Sequence, residues 1–171
     1  MRNGGVSETL SKQASELSGD PAVRRLAYSD LPAVISIERR SFPSPWSLAM
    51  FVLELSKPSG ICLAAISGEE LLGYLVCSRY DRVWHVMNVA VAPERRREGI
   101  ASALLRQLLE ETRGDARRGY TLEVRVSNVG AISLYERFGF RPKGVRRGYY
   151  QAVGGREDAA VLKLPLRTRR G

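Results

Sequence analysis

The residues best placed to do chemistry lie in VAPERRREGIASALLRQLLEE, residues 91 to 111. The second half of this stretch reads as an amphipathic helix. Ile100, Ala101, Leu104, Leu105, Leu108 and Leu109 share one stripe, while Arg106, Gln107, Glu110 and Glu111 face away. A helix amino end carries about half a positive charge and favours acidic neighbours by roughly 0.3 to 1 kcal/mol each. Here Arg95, Arg96 and Arg97 crowd that end instead, which fits a site waiting for an anion. Arg96-x-x-Gly99-x-Ala101 stands where a strand gives way to the helix. A glycine there removes the Cβ that would block close approach, and the free amides of the first turn converge on one spot. The competing reading is a solvated basic turn partly neutralised by Glu94 and Glu98. The lysine and hydroxyl of a nucleotide-hydrolase phosphate loop are missing.

Other reactive side chains have dull readings of their own. In TLEVRV, Leu122, Val124 and Val126 alternate with Thr121, Glu123 and Arg125, so position alone makes Glu123 an exposed strand residue. Tyr135 belongs to a helical stripe with Ala131, Leu134 and Phe138 that faces the core, although a buried phenol still wants a hydrogen-bond partner. Asn128 suits the cap of the helix that follows it. His85, the one histidine, is open to use as a base or proton shuttle, or to a structural place in its strand. Trp46, in FPSPWS, and Tyr149 and Tyr150, in RRGYYQAVGGRED, offer large apolar faces, the tyrosines with hydroxyls able to bind a peptide backbone.

These residues need elements to hold them. AVRRLAY predicts a strand, and a helix runs from Asp30, as its N-cap, through LPAVISIERRSF. PSPW breaks that helix, and SLAMFVLELS gives a second. Strands follow at ICLAAIS, ELLGYLVCSRY and RVWHVMNVAVA, the first two joined by the turn-prone GEE. The last of these runs is apolar on both faces, as a central strand should be. After the arginine-headed helix and its stop at Gly114, YTLEVRV is a strand and GAISLYERF a short helix ended by Gly139. FRPKGVRRGYY and EDAAVLKLPL complete the sheet. The order β-α-α-β-β-β-α-β-α-β-β predicts a mixed sheet with helices on its faces.

At 171 residues and 44% hydrophobic, the chain fits a single domain over residues 21–166 that buries about two thirds of its unfolded surface. Residues 1–20 and 167–171 are expected to be tails, the first rich in Ser, Gly and charge and the second basic. The net charge of +9 comes from 27 basic against 18 acidic residues and is carried mostly by arginine. Such a surface attracts polyanions, phosphate ligands, RNA and ribosomes among them, and charge alone does not choose between these. No interleaved aromatic and basic signature points to specific nucleic-acid reading. Cys62 and Cys77 sit in short apolar runs that suit reduced, buried thiols, and no metal site is expected. The polar start lacks a signal core, and no run reaches the roughly 18 apolar residues of a membrane span, so a soluble cytoplasmic protein is expected.

RSFPSPWS, MNVAVAPERRREGIASALL, LEVRVSNVGAISLYERFGF and RRGYYQAVGGREDAAVL together resemble the GCN5-related N-acetyltransferase (GNAT) family, and within it the bacterial ribosomal-protein-alanine N-acetyltransferases of the RimI type. The resemblance runs from about residue 22 to 165, and its most specific stretch is Leu122 to Phe140. It implies an α+β fold, a mostly antiparallel mixed sheet of about six or seven strands with about four helices, splayed at its centre into a coenzyme cleft. The implied co-substrate is acetyl-CoA, its pyrophosphate on Arg96, Arg97, Glu98, Gly99, Ile100, Ala101 and Ser102. Val89, Ala90 and Val91 would present backbone to the pantetheine arm as an added strand does, beside a bulge, and Asn128 would also touch the coenzyme. By the same resemblance Glu123 is the base and Tyr135 the acid, and Trp46, Tyr149 and Tyr150 border the acceptor. Glu98 departs from the family, which often has a neutral or basic residue there.

The implied reaction is direct acetyl transfer to a protein α-amine, typically the amino-terminal alanine of ribosomal protein S18, with ribosome association a further expectation. An α-amine, with a pKa near 7.7 to 8.0, is about two units easier to deprotonate than lysine. Lysine side chains or small amines are the alternative acceptors. A non-catalytic RNA-binding or ribosome-binding module is a third reading, and it predicts salt-dependent RNA affinity without turnover.

Overall fold

The computed structural model describes residues 21–115 and 118–165. The expected tails at 1–20 and 167–171 therefore lie outside the described residues. The chain runs β1 (Ala22–Arg25), α1 (Leu31–Ser41), α2 (Leu48–Ser56), β2 (Gly60–Ser67), β3 (Glu70–Tyr80), β4 (Val83–Val91), α3 (Ile100–Thr112), β5 (Tyr120–Arg125), α4 (Val129–Arg137), β6 (Arg141–Ala152) and β7 (Gly155–Leu164). This is the element order the hydrophobic periods predict. The strands form one seven-stranded sheet in the order β1-β2-β3-β4-β5-β7-β6. Only β4 and β5 are parallel, and α3 makes the crossover that parallel neighbours require.

Each face of the sheet buries its own core. On one, Leu104, Leu105 and Leu108 of α3 and Tyr135 of α4 pack on Leu63, Leu75, Val86, Leu122 and Leu162. On the other, Val34 and Ile37 of α1 and Phe51 of α2 pack on Ala64, Tyr74, Val76 and Ala90. Cys62 belongs to the second core and Cys77 to the first, so the two thiols point to opposite faces and stay free. Burial pushes both thiols up, that of Cys62 to about 11.

Two expectations are corrected. The first strand ends at Arg25, because a 3-10 turn over Tyr28–Asp30 leads into α1. Asp30 does not cap α1 with its side chain. Its carboxylate turns back to accept the Ala27 N–H at 2.7 Å and both terminal nitrogens of Arg24, so it locks the turn before the helix. As expected, β4 is apolar on both faces: Trp84, Val86, Val89 and Val91 pack into the first core, and Met87 and Ala90 into the second.

Candidate active site

Strands β4 and β5 pair only at Trp84–Tyr120, His85–Thr121 and Val86–Leu122. Beyond Val86 they part, and β5 continues against β7 through Arg125. On its other side β4 stays paired with β3, but the register jumps: Val76 faces Asn88 while Cys77 faces Val86, leaving Met87 as the extra residue of a bulge. The bulge turns both Met87 and Asn88 toward the α1 and α2 side, where Met87 joins the second core and Asn88 bonds α1. Past it, the edge of Met87–Val91 that faces β5 has no ladder partner in the sheet. Backbone N–H and C=O groups so exposed are the template an extended ligand needs.

A cleft of about 400 Å³ opens at this splay, lined by Val89, Glu123, Asn128 and Tyr135 and also by Trp46 and Tyr150. The structure therefore brings together six of the residues singled out in the sequence. Asn128 also caps α4, accepting the Ala131 N–H at 3.2 Å, so its structural and cleft roles coexist. Trp46 likewise does both, lining the cleft and packing on Phe51 with ring centroids 5.2 Å apart. Tyr149 is 45% exposed and braces Tyr150 edge-on at 4.9 Å without lining the cleft. Ala90 and Val91 pack into the two cores with their side chains, leaving only main chain to offer.

The arginine-headed turn follows directly after β4. Gly99, at φ 77°, takes the N-cap position of α3, and no side chain caps the helix. Its conformation is left-handed, and among the described residues no atom beyond its chain neighbours and its own helix backbone lies within 4 Å of the place a Cβ would occupy, so the space over the turn is open. Arg97 is left-handed as well, at φ 64°, a conformation that costs a non-glycine residue about 1 to 3 kcal/mol. Glu98 is engaged by Arg95 at 3.1 Å, and Arg96 reaches toward Ser41 of α1 at 3.4 Å. An uncapped helix start, open space at Gly99 and surplus guanidinium charge fit the diphosphate of a coenzyme. Buried Ile100 anchors the turn to the core.

Comparison with known proteins decides the family. Residues 31–140 match the acetyltransferase (GNAT) family model. The chain belongs to the GNAT family. It is 33% identical over 144 residues to the Escherichia coli ribosomal protein bS18-alanine N-acetyltransferase, covering 84% of this chain and 97% of that one. The crystal structure of the E. coli ribosomal-protein-S18-alanine N-acetyltransferase superposes with a TM-score of 0.79, covering 88% and 97% of the two chains at 32% identity. The N-alpha-acetyltransferase RimI of Mycobacterium tuberculosis is 36% identical over 144 residues, covering 81% of this chain and 88% of that one. Arabidopsis thaliana NAA60, solved with acetyl-CoA, matches with a TM-score of 0.76 at 25% identity, covering 86% and 99%.

In this GNAT acetyltransferase, Glu123 is not the exposed strand residue its position suggests, because its side chain is only 9% exposed. Its Oε2 lies 2.6 Å from His85 Nε2, and its Oε1 lies 3.4 Å from the Arg146 guanidinium of β6. The hydrogen bond from His85, above all, holds its carboxyl below the usual range despite burial, and the charge of Arg146 adds to this. Tyr135 is buried against Phe140, rings 5.7 Å apart, and burial pushes its phenol upward. Tyr150 is pushed up to about 12 by burial and by Tyr149, while Arg125 stacks over its ring at 4.6 Å.

Sequence reasoning missed Glu38. This α1 carboxylate is 1% exposed, yet it lines the cleft wall. Oε1 accepts the Trp46 N–H at 2.8 Å, and Oε2 accepts from Asn88 Nδ2 at 3.0 Å and from the Tyr74 hydroxyl. One buried carboxyl group thereby ties together the Trp46 loop, the bulge and β3. The available signal was a lone acid at an apolar helix position, since Leu31, Val34, Ile37 and Glu38 share one buried face of α1.

Proposed function

We propose that this GNAT enzyme transfers acetyl from acetyl-CoA to the α-amine of an amino-terminal alanine, with ribosomal protein S18 as the acceptor, and that it works in the cytoplasm as one catalytic domain over residues 21–166. The observation that carries the reading is a cleft, opened by the β4–β5 splay, that holds a carboxyl group, Glu123, and a phenol, Tyr135. The similarity to S18-alanine acetyltransferases across most of both chains supports the choice of acceptor.

Acetyl-CoA supplies the thioester. Backbone of Val89–Val91 would hold its pantetheine arm, and Arg96 to Ser102 would hold its diphosphate. Glu123 takes the proton of the attacking amine, and Tyr135 gives one to the departing thiolate. A carboxyl held low stays ionised throughout the neutral range, and a phenol pushed upward stays protonated there, so each group keeps the form its step requires. The tetrahedral oxyanion between them needs donors fixed in advance, and the unpaired edge of β4 offers backbone amides for that purpose. Both cysteines are buried away from the cleft lining, so transfer is direct.

The test is thiol release from acetyl-CoA with peptides that differ only in their first residue, beside an amino-terminally blocked peptide containing lysine. An Ala-initiated peptide is expected to turn over at least tenfold faster than the blocked one. Equal rates would assign the enzyme to lysine side chains.

A further inference from the structure

Three consecutive residues of β7, Arg156, Glu157 and Asp158, anchor the part of β6 that carries Tyr150. The ladder is irregular there: Arg146 faces Ala159 and Tyr150 faces Glu157, so Arg147, Gly148 and Tyr149 stand against Asp158 alone. Gly148, inside this bulge at φ 57°, is held by both its backbone groups. Its N–H donates to Asp158 Oδ1 at 2.8 Å, and its carbonyl accepts from Arg156 Nε at 2.6 Å. Glu157 instead bonds β5 and the loop after it, accepting from the Arg125 guanidinium at 3.1 Å on Oε2 and from the Ser127 N–H at 3.1 Å on Oε1. The Arg125 guanidinium in turn lies 4.6 Å over the Tyr150 ring. We propose that Arg125, fixed by Glu157, is a positioning residue that holds the Tyr150 ring in place on the cleft wall so that its hydroxyl meets the incoming peptide. The role rests on the cleft taking a peptide amine as its acceptor, as proposed above.

The geometry gives the reason. Tyr150 stands on the outermost strand of the sheet, where β7 alone flanks it. Two side chains hold its ring, Tyr149 edge-on at 4.9 Å and Arg125 over its face. Arg125 and Glu157 are both mostly buried, their side chains 17% and 18% exposed, and Arg125 lines the cleft together with Tyr150. A guanidinium partly withdrawn from water is drawn to an aromatic face more strongly than an exposed one. Its planar fork can give an edge to the Glu157 carboxylate while its face covers the ring. The charge of Arg125 is thereby answered by Glu157. A tyrosine without such support rotates among its rotamers, and a peptide binding to it must first order it. A ring placed in advance removes that cost from peptide binding. Burial, with Tyr149 adding, pushes the Tyr150 phenol up to about 12, so its hydroxyl stays a donor through the neutral range.

The test is a double-mutant cycle read in the peptide KM. Arg125→Met keeps bulk over the ring without the charge or the fork. It should raise the KM of an Ala-initiated peptide about fivefold, with kcat within about twofold and acetyl-CoA binding by calorimetry unchanged. Tyr150→Leu should raise that KM at least as much. In the double variant the two effects should not multiply, and its KM should match that of Tyr150→Leu alone, because Arg125 acts through the ring. Glu157→Gln keeps one acceptor oxygen but loses the ion pair. It should raise the peptide KM about threefold in the native background and not at all beside Tyr150→Leu, which decides the matter if Arg125→Met does not fold. Effects that multiply, a native KM in Arg125→Met, or acetyl-CoA binding that weakens in step with the peptide KM would overturn the role of Arg125. A native peptide KM in Tyr150→Leu would remove it as well. A blocked, lysine-containing peptide turned over as fast as the Ala-initiated one overturns the proposed acceptor instead, and the same cycle run with the lysine peptide still decides Arg125.

Discussion

At the scale of single residues, the cleft pairs two groups whose surroundings push them in opposite directions. Glu123 is kept ionised by His85 and Arg146, and Tyr135 is kept protonated by the apolar cluster of Phe140 and the α4 stripe. Tyr135→Phe removes one hydroxyl and leaves the packing intact, so turnover is expected to fall by roughly a hundredfold or more, the lower range for loss of a general acid. Acetyl-CoA affinity by calorimetry should stay within about twofold. Unchanged turnover would move the acid role to another group, with Tyr150 the other phenol on the cleft wall. Periodicity placed Glu123 and Tyr135 correctly on their strand and helix but read them as an exposed residue and a core residue. The error for Glu123 has a specific cause: its neighbours His85 and Arg146 lie 38 and 23 positions away, and no local pattern registers them.

At the scale of elements, the Trp46 loop, α1 and the β4 bulge form one unit because Glu38 joins them. Replacing Glu38 with leucine would strand the Trp46 N–H, the Asn88 amide and the Tyr74 hydroxyl, each an unsatisfied buried donor costing about 1 to 3 kcal/mol. A loss of about 3 kcal/mol or more is expected from urea unfolding midpoints, while Glu38→Gln should lose less because it retains an acceptor. Kinetics should show the peptide KM rising more than the acetyl-CoA KM, since the freed loop carries Trp46. The same scale shows how the sheet opens. β5 leaves β4 after Leu122 and runs on against β7 through Arg125, while the Met87 bulge turns β4 toward α1. A bulge arises from register between strands, and HVMNVAVA carries no mark of it.

At the scale of the whole molecule, the charge of +9 is spread over surface ion pairs and exposed strands, with β6 as a basic sheet edge at Arg141, Lys143, Arg146 and Arg147. Such an edge resists pairing with a second sheet. Folding depresses Asp30, through its hydrogen bonds from Arg24 and Ala27, and Glu123, through His85. A group with a depressed folded pKa stabilises the native state above its unfolded value, near 4, and that contribution disappears as pH falls through the folded value. Urea midpoints should therefore decline from about pH 5 toward pH 3, and Asp30→Asn and Glu123→Gln should each flatten that decline. By itself the sequence determined the order of helices and strands, the arginine-headed helix start, the cap at Asn128 and the family, because hydrophobic period, turn chemistry and motif spacing are local properties of the chain. Only the tertiary structure decided where the sheet splays, that Glu38 clamps the Trp46 loop and that His85 grips Glu123, because those contacts depend on which helices and strands become neighbours.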